Sequence, residues 1–235
     1  DLNFFATVVL RMVQLSLRHG NTYMAAHGYG LYGAILCGFL DEFADGYRFG
    51  QLGLEVAEKY GDSAAICRAR FDMANFINHW RRPLAEGLDL LGKAYQTGIE
   101  AGDLYAAGYC AVNHPFHLLL SGAPLPEVLE DIKRFADFTS TTGYEEGIDI
   151  LAVLRQLVLC LQGQTHNWGD FADDSYDEAR HREQLTQRHN RLPLHWYYIE
   201  KVMALFLADR PAEAAELAAE AVRIAEVSAA NLYLT

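Results

Sequence analysis

Apolar residues recur along most of the chain at helical spacing. Leu2, Phe5, Val8, Val9, Met12, Leu15 and Leu17 form one wide face, which predicts a helix over residues 2–19. The same periodicity predicts helices over 22–40, 44–60, 63–80, 84–101, 103–121, 125–141 and 145–162. The alternation of a half-buried strand is almost absent. Residues 164–176 lose the apolar period and are rich in turn formers, which predicts a loop or insertion. Helices resume over 177–189, 193–209 and 211–228, and residues 229–235 read as the start of one more.

The boundaries between these helices repeat. Gly20, Gly61, Gly102 and Gly143 are each 41 residues apart, and so are Gly122 and Gly163. A glycine just past a helix suits the left-handed residue that ends it. The next positions, Asn21 or Thr22, Asp62 and Asp103, suit the cap of the following helix, and Tyr144 breaks the series. Breaks at 41–45, 81–83 and 122–124 divide each interval into two helices, with Pro83 and Pro124 suited to a first turn. Leu36, Ile77, Leu118 and Leu159 share one column of the repeat. Ala26, Cys67 and Gly108 share a small one, which Asp149 interrupts. Gly33, Gly46, Gly50 and Gly53 sit where two helices of a pair would touch. Each mid-helix glycine costs up to about 1 kcal/mol against alanine, so their number calls for a packing reason.

A fixed period of this length marks an array of supersecondary units. The expected fold is all-α, an α-α superhelix of helical hairpins with a period of about 41 residues. It runs over 1–235 as a single helical-repeat domain, broken by the loop at 164–176. The small-residue spacing resembles tetratricopeptide-type repeats, with about seven residues added to their period of roughly 34. Asp1 stands where a helix is already under way, so the chain reads as a fragment of a larger protein.

Composition narrows the function classes. The chain has 235 residues, is 51% hydrophobic and carries a formal charge of -12. That charge opposes sequence-independent nucleic-acid binding, which neutralises phosphates with cations, and equally opposes an anionic membrane surface. No apolar run is long enough to span a bilayer. Cys37, Cys67, Cys110 and Cys160 form no close pair in sequence and lie among apolar neighbours. They are expected to be buried and reduced, in a cytoplasmic protein.

Few motifs suggest chemistry. Residues 28–33 spell G-x-G-x-x-G, but no strand precedes them, so helix packing is the expected use. His114 and His117 share a helix face around Pro115, which predicts a kink; satisfied structural histidines are the first expectation and a polar pocket or groove contact opened by the kink the second, and no further ligands complete a metal site. His79, Trp80, Arg81 and Arg82 end a helix, with Trp80 a candidate stacking partner for an arginine. His181, His189 and His195 and the acidic run Asp170, Asp173, Asp174, Asp177 and Glu178 read as solvated, with Trp168 and Phe171 anchoring the loop. No nucleophile–base arrangement is legible. The expectation is no catalytic residue, no metal and no cofactor in this segment.

Several stretches carry a family resemblance: residues 15–21, 32–38, 46–52, 76–80, 98–103 and 117–122. The chain resembles the helical-repeat segment of large bacterial signalling proteins. Those join a serine/threonine-kinase-like domain, an AAA/STAND-type ATPase, this helical region, a GAF domain and often a histidine kinase of a two-component system. The resemblance implies a non-catalytic scaffold or sensor relay, whose partners are other proteins or neighbouring domains. The alternative is a small-molecule effector in the groove. Candidate groove and rim residues are Tyr29, Tyr32, Tyr109, His114, His117, Trp80, Arg81 and Arg82, with Tyr23 and Tyr105 as further exposed aromatics.

Overall fold

The recurring glycines end helices as their spacing predicts. In the computed structural model, which describes residues 2–188 and 191–225, Gly20, Gly61, Gly102, Gly122, Gly143 and Gly163 all have φ between 66° and 93°. At Gly102 the Asp103 amide donates to the Gly98 carbonyl at 2.9 Å and the Gly102 amide to Ile99 at 3.1 Å. Two carbonyls that a helix end leaves open are thereby satisfied. Asp62 and Asp103 then cap the next helices, accepting from the Ala65 and Ala106 amides at 2.8 and 3.1 Å. Thr22 holds the matching place without a side-chain cap. The Asn21 side chain instead accepts from the Tyr29 hydroxyl at 2.8 Å.

The described residues form an all-α helical repeat fold of eleven α-helices. They divide into two compact units, one up to Gly122 and one of the described residues from Ala123 to 225. The first unit contains α1 (Leu2–His19), α2 (Tyr23–Leu40), α3 (Phe43–Tyr60), α4 (Ser63–Asp72), α5 (Leu84–Ala101) and α6 (Leu104–Leu120). The second contains α7 (Leu125–Thr142), α8 (Glu145–Leu161), α9 (Glu178–Gln187), α10 (Leu192–Leu207) and α11 (Pro211–Arg223). Pro83 and Pro124 sit one residue before α5 and α7 rather than inside their first turns. Among the described residues an isolated bridge between Asp173 and Tyr176 is the only β pairing.

In the first unit α2 and α3 approach closely because glycines face each other. A Cβ at Gly33 would lie 2.6 Å from the Gly46 carbonyl, and one at Gly46 would meet the Cys37 sulfur and lie 2.8 Å from the Gly33 carbonyl. A Cβ at Gly50 would lie 2.7 Å from Met73 Sδ and 2.8 Å from Ile77 Cδ1. The G-x-G-x-x-G stretch is therefore interior helix, as expected, and no phosphate-binding turn. Ala26, Tyr29, Val56, Ala57 and Ala69 complete the core beside this contact.

The helix expected over 63–80 is not uniform. After α4 it continues as a π-helical turn, Met73–Ile77, and ends as a 3-10 turn, Asn78–Trp80. Asp72 through Asn78 are seven consecutive buried residues, because α2, α3 and α5 all pack on this stretch. A one-sided apolar stripe cannot serve a segment covered all round, and π turns inside α-helices are frequent at functional sites.

In the second unit α8 packs against α7 and α10. Ile150, Leu154 and Leu157 of α8, Val128, Ile132 and Phe135 of α7 and Trp196 of α10 are all buried. The loop expected at 164–176 is ordered on this core. Phe171 is fully buried, edge-on to Tyr197 with ring centroids 6.2 Å apart. Trp168 holds on less firmly: it is 47% exposed and its Nε1 donates to the Leu207 carbonyl at 3.4 Å. The helix start expected at 229–235 and His189 lie outside the described residues.

The glycine contact gives a direct test. Gly46→Ala is expected to destabilise the protein by about 1–3 kcal/mol, as overpacked cores do. Gly92→Ala, at a helical glycine with no atom closer than 3.9 Å to the added Cβ, is expected to stabilise by about 0.5–1 kcal/mol. Urea unfolding of both variants reads the difference in sign.

Candidate functional site

The π-helical turn aligns an unusual set of buried polar side chains in the first unit. Asp72, Asn75, Asn78, Asn113 and His117 are all buried. The Asp72 carboxylate takes a 2.7 Å bond from His27 Nδ1, and a Cβ at Gly30 would collide with it at 2.7 Å. Asp72 holds the His27 imidazole above its usual 6.5, against the opposing effect of burial. His117 Nε2 lies 3.2 Å from Asn75 Oδ1 and donates to it. Burial, with His79 and His114 nearby, pushes His117 down to about 3, and burial pushes His79 down to about 4. Both are neutral at physiological pH.

Beside this spine runs an open groove of about 610 Å³. Its walls come from α4, α5 and α6, and it is lined by Arg70, Leu88, Asp89, Gly92, Lys93, Gln96, Thr97, Glu100, His114 and Leu118. Gly92 is its most informative residue. The same repeat column carries Gln51 in α3 and Lys133 in α7, so a long side chain is the rule there. At position 92 a Cβ would meet only His114 Nε2, at 3.9 Å. No close packing requires this glycine, in contrast to Gly33 and Gly46, and its effect is to keep the groove open beside His114. The second unit has the repeat-equivalent groove between α7 and α8, about 450 Å³, where Leu129 and Leu159 replace Leu88 and Leu118. There Lys133 and Arg155 stand in place of Gly92 and His114.

No family model matches the chain, and no solved structure matches it. It is similar to a signalling kinase. The relative is hybrid signal transduction histidine kinase G of Dictyostelium discoideum, 24% identical over 165 residues, which is 69% of this chain and 5% of that protein. This supports a signalling-related helical segment.

The structure divides the eight predicted site residues among several places. His114 lines the groove, whereas His117, three residues on, turns inward to Asn75 and is fully buried. The two histidines therefore face different surroundings, and among the described residues no group of three or more His, Cys, Asp or Glu could hold a metal ion. Helix α6 runs on unbroken through Pro115. Tyr29, expected as an exposed groove aromatic, is 2% exposed. It points into the α2–α3 core, 6.1 Å from Phe49, with its hydroxyl engaged by Asn21. Tyr32 is partly buried, edge-on to the same Phe49 at 4.7 Å. Tyr109 shares a 2.8 Å hydroxyl bond with the exposed Tyr105 and rests on Phe71. Trp80 stacks on Phe43 at 4.9 Å rather than on an arginine, and Arg81 and Arg82 both lie 5.9 Å from the Tyr47 ring. Arg70, Gly92, Thr97 and Glu100 were not singled out from the sequence. Only Gly92 carried a signal there, by breaking the polar column of Gln51 and Lys133.

The second unit corrects two further expectations. The acidic run is largely paired, because the loop folds back over α10 and α11 rather than into solvent. Glu178 accepts from the Phe171 amide at 2.9 Å, the Tyr197 hydroxyl at 2.8 Å and Lys201 at 2.7 Å. Asp170 binds Arg210 at 2.8 Å, and Asp177 caps α9 through the Arg180 amide at 3.0 Å. Asp174 and Asp177 are exposed as expected, Asp174 with His166 3.0 Å away. His181 is not solvated either: it bonds Tyr176 and lies 3.2 Å from Asp149, which also pairs with Arg188. His195 is buried, and burial lowers its pKa. All four cysteines are free and buried. Among the described residues no helix is long and apolar enough to cross a membrane.

Glu200 on α10 is fully buried, and neither carboxylate oxygen has a hydrogen-bond partner among the described residues. Burial raises its pKa well above the ordinary glutamate value.

Three titrations follow. His79 and His117 refuse protons that the unfolded chain accepts near 6.5, so stability is lost as pH falls from about 6.5 towards 4 and 3. The slope is at most about 1.4 kcal/mol per pH unit for each histidine. His27 has the opposite sign: its contribution is present below 6.5 and is lost as pH rises through its raised pKa. Urea midpoints between pH 4 and 9 are expected to show a flatter acid arm in His117→Gln and a flatter arm above 6.5 in Asp72→Asn. Glu200 favours folding only while protonated, so its cost appears as pH rises above the ordinary glutamate pKa. Glu200→Gln is expected to raise stability by about 1–3 kcal/mol at pH 8 and by less at pH 4.

Proposed function

We propose that this chain is a non-catalytic helical-repeat scaffold and sensor relay within a multidomain signalling protein, with ATPase and kinase chemistry supplied by neighbouring domains. The observation that carries this reading is the 165-residue similarity to a signal transduction histidine kinase, found in a chain whose described residues are stacked helices. Exposed apolar residues support it. Leu10 and Leu17 on α1 and Phe206 and Val222 on α10 and α11 are all more than half exposed. Helix faces of this kind suit other helices better than they suit water.

A second reading is favoured by one specific feature, the groove kept open at Gly92. There the chain senses a small effector and passes the effect of binding to its neighbours. Both readings assign the segment no turnover of its own. The purified chain is expected to hydrolyse no ATP and to transfer no phosphoryl group. Turnover that persists through repeated purification and disappears with a single substitution in this chain would overturn both readings. Leu10→Lys with Leu17→Lys in the complete protein is expected to leave the melting of the isolated chain unchanged and to alter signalling output. An unaltered output would remove the scaffold reading.

A further inference from the structure

The charges of the α4–α5–α6 groove do not cancel in the same way. Asp89 and Lys93 satisfy each other at 2.7 Å, one turn apart on α5. Arg70 and Glu100 have no ion-pair partner among the described residues, and they carry opposite signs. Arg70 is half-buried and fixed in place: its Nη1 donates to Thr97 Oγ1 at 2.8 Å, and Thr97 Oγ1 donates to the Lys93 carbonyl at 2.8 Å. That uses one of the five N–H donors of a guanidinium. The rest form a planar fork of the kind that binds a carboxylate with two parallel bonds. Glu100 lies three residues from Thr97 on the same face of α5, which places an acceptor for an ammonium beside the Arg70 anchor.

The other end of the groove carries its two leucines, beside His114 and the mutually paired Asp89 and Lys93. Gly92 lies five residues before Thr97, about 7–8 Å along the helix, and Leu88 and Leu118 border the space it leaves. A ligand suited to all of this has adjacent carboxylate and ammonium groups and an apolar side chain about that long.

We propose that this groove binds a zwitterion of the α-amino acid class with a large apolar side chain. Arg70 takes the carboxylate, Glu100 takes the ammonium, and Gly92 makes room for the side chain between Leu88 and Leu118. The proposal rests on the effector reading above. Gly92 is the specificity-determining position, since the column residue of α7, Lys133, would fill the space in this groove.

The test follows the His114 imidazole resonances of the whole chain by NMR, because His114 lines the groove. L-phenylalanine and L-leucine are titrated to millimolar concentration, beside 3-phenylpropionate, which lacks the ammonium, and phenethylamine, which lacks the carboxylate. The amino acids are expected to shift His114, with both analogues binding about tenfold or more weakly. Arg70→Gln is expected to weaken L-phenylalanine by at least about tenfold. Gly92→Lys should abolish its binding while circular dichroism and the urea midpoint show a folded protein. Equal binding of either analogue, or undiminished binding to Arg70→Gln or folded Gly92→Lys, overturns the proposal. If a dicarboxylate or a nucleotide moves His114 and amino acids do not, the amino-acid class is wrong and the effector reading stands. If no probe moves it, both fall.

Discussion

The first unit depends on the close approach of α2 and α3. Gly33, Gly46 and Gly50 remove the Cβ atoms that would hold these helices apart, and the backbone of one helix then meets the backbone of the other. Met73 and Ile77 reach across to Gly50 in the space so made. With α2 and α3 drawn together on one side and α5 on the other, the segment from Asp72 to Asn78 is covered on every face. Buried polar groups must find partners in such a place. The bonds from His27 to Asp72 and from His117 to Asn75 are part of that accounting.

The same repeat that builds a core can hold a surface apart for another use. The α5–α6 and α7–α8 grooves are lined at matching positions of the 41-residue frame, with leucine at both apolar corners. What differs is the side chains around those corners: Gly92 and His114, with Arg70 and Glu100, in one, and Lys133 and Arg155 in the other. Scaffold and chemistry are thus separable: the column residues keep the helices in place, and one or two exchanges on the open face decide what the groove accepts. This is the usual division of labour in repeat proteins, where the stacking surface and the binding surface are different faces.

The second unit solves a different problem. Its long loop and the start of α9 carry five carboxylates, and a polar loop gains little from burial alone. Phe171 supplies an apolar anchor, while Lys201, Arg210 and the Tyr197 hydroxyl meet the carboxylates. Reading Asp170 and Glu178 as solvated failed because their cationic partners, Lys201 and Arg210, lie about 20 to 40 residues further on. Local composition contains no trace of a pairing made by the fold. His181 escaped for the same reason, its partner Asp149 being 32 residues earlier.

The sequence alone determined the helices, their stops and the reason for the mid-helix glycines. Those features are local, set by apolar period, by the left-handed backbone at Gly61 or Gly102 and by the Asp62 and Asp103 caps. Helix α5 was legible to the residue. Tertiary structure alone decided which face of each helix is inside. Tyr29 and His117 looked like site residues because their chemistry is suggestive, yet burial depends on what the neighbouring helix presents, and both point into the core. It also decided the π turn at Met73–Ile77, which answers to packing on all sides. Gly92 lies between the two cases: its break with Gln51 and Lys133 is visible in the sequence, but only the structure shows that no helix packs against it and that the space it leaves opens on Arg70 and His114.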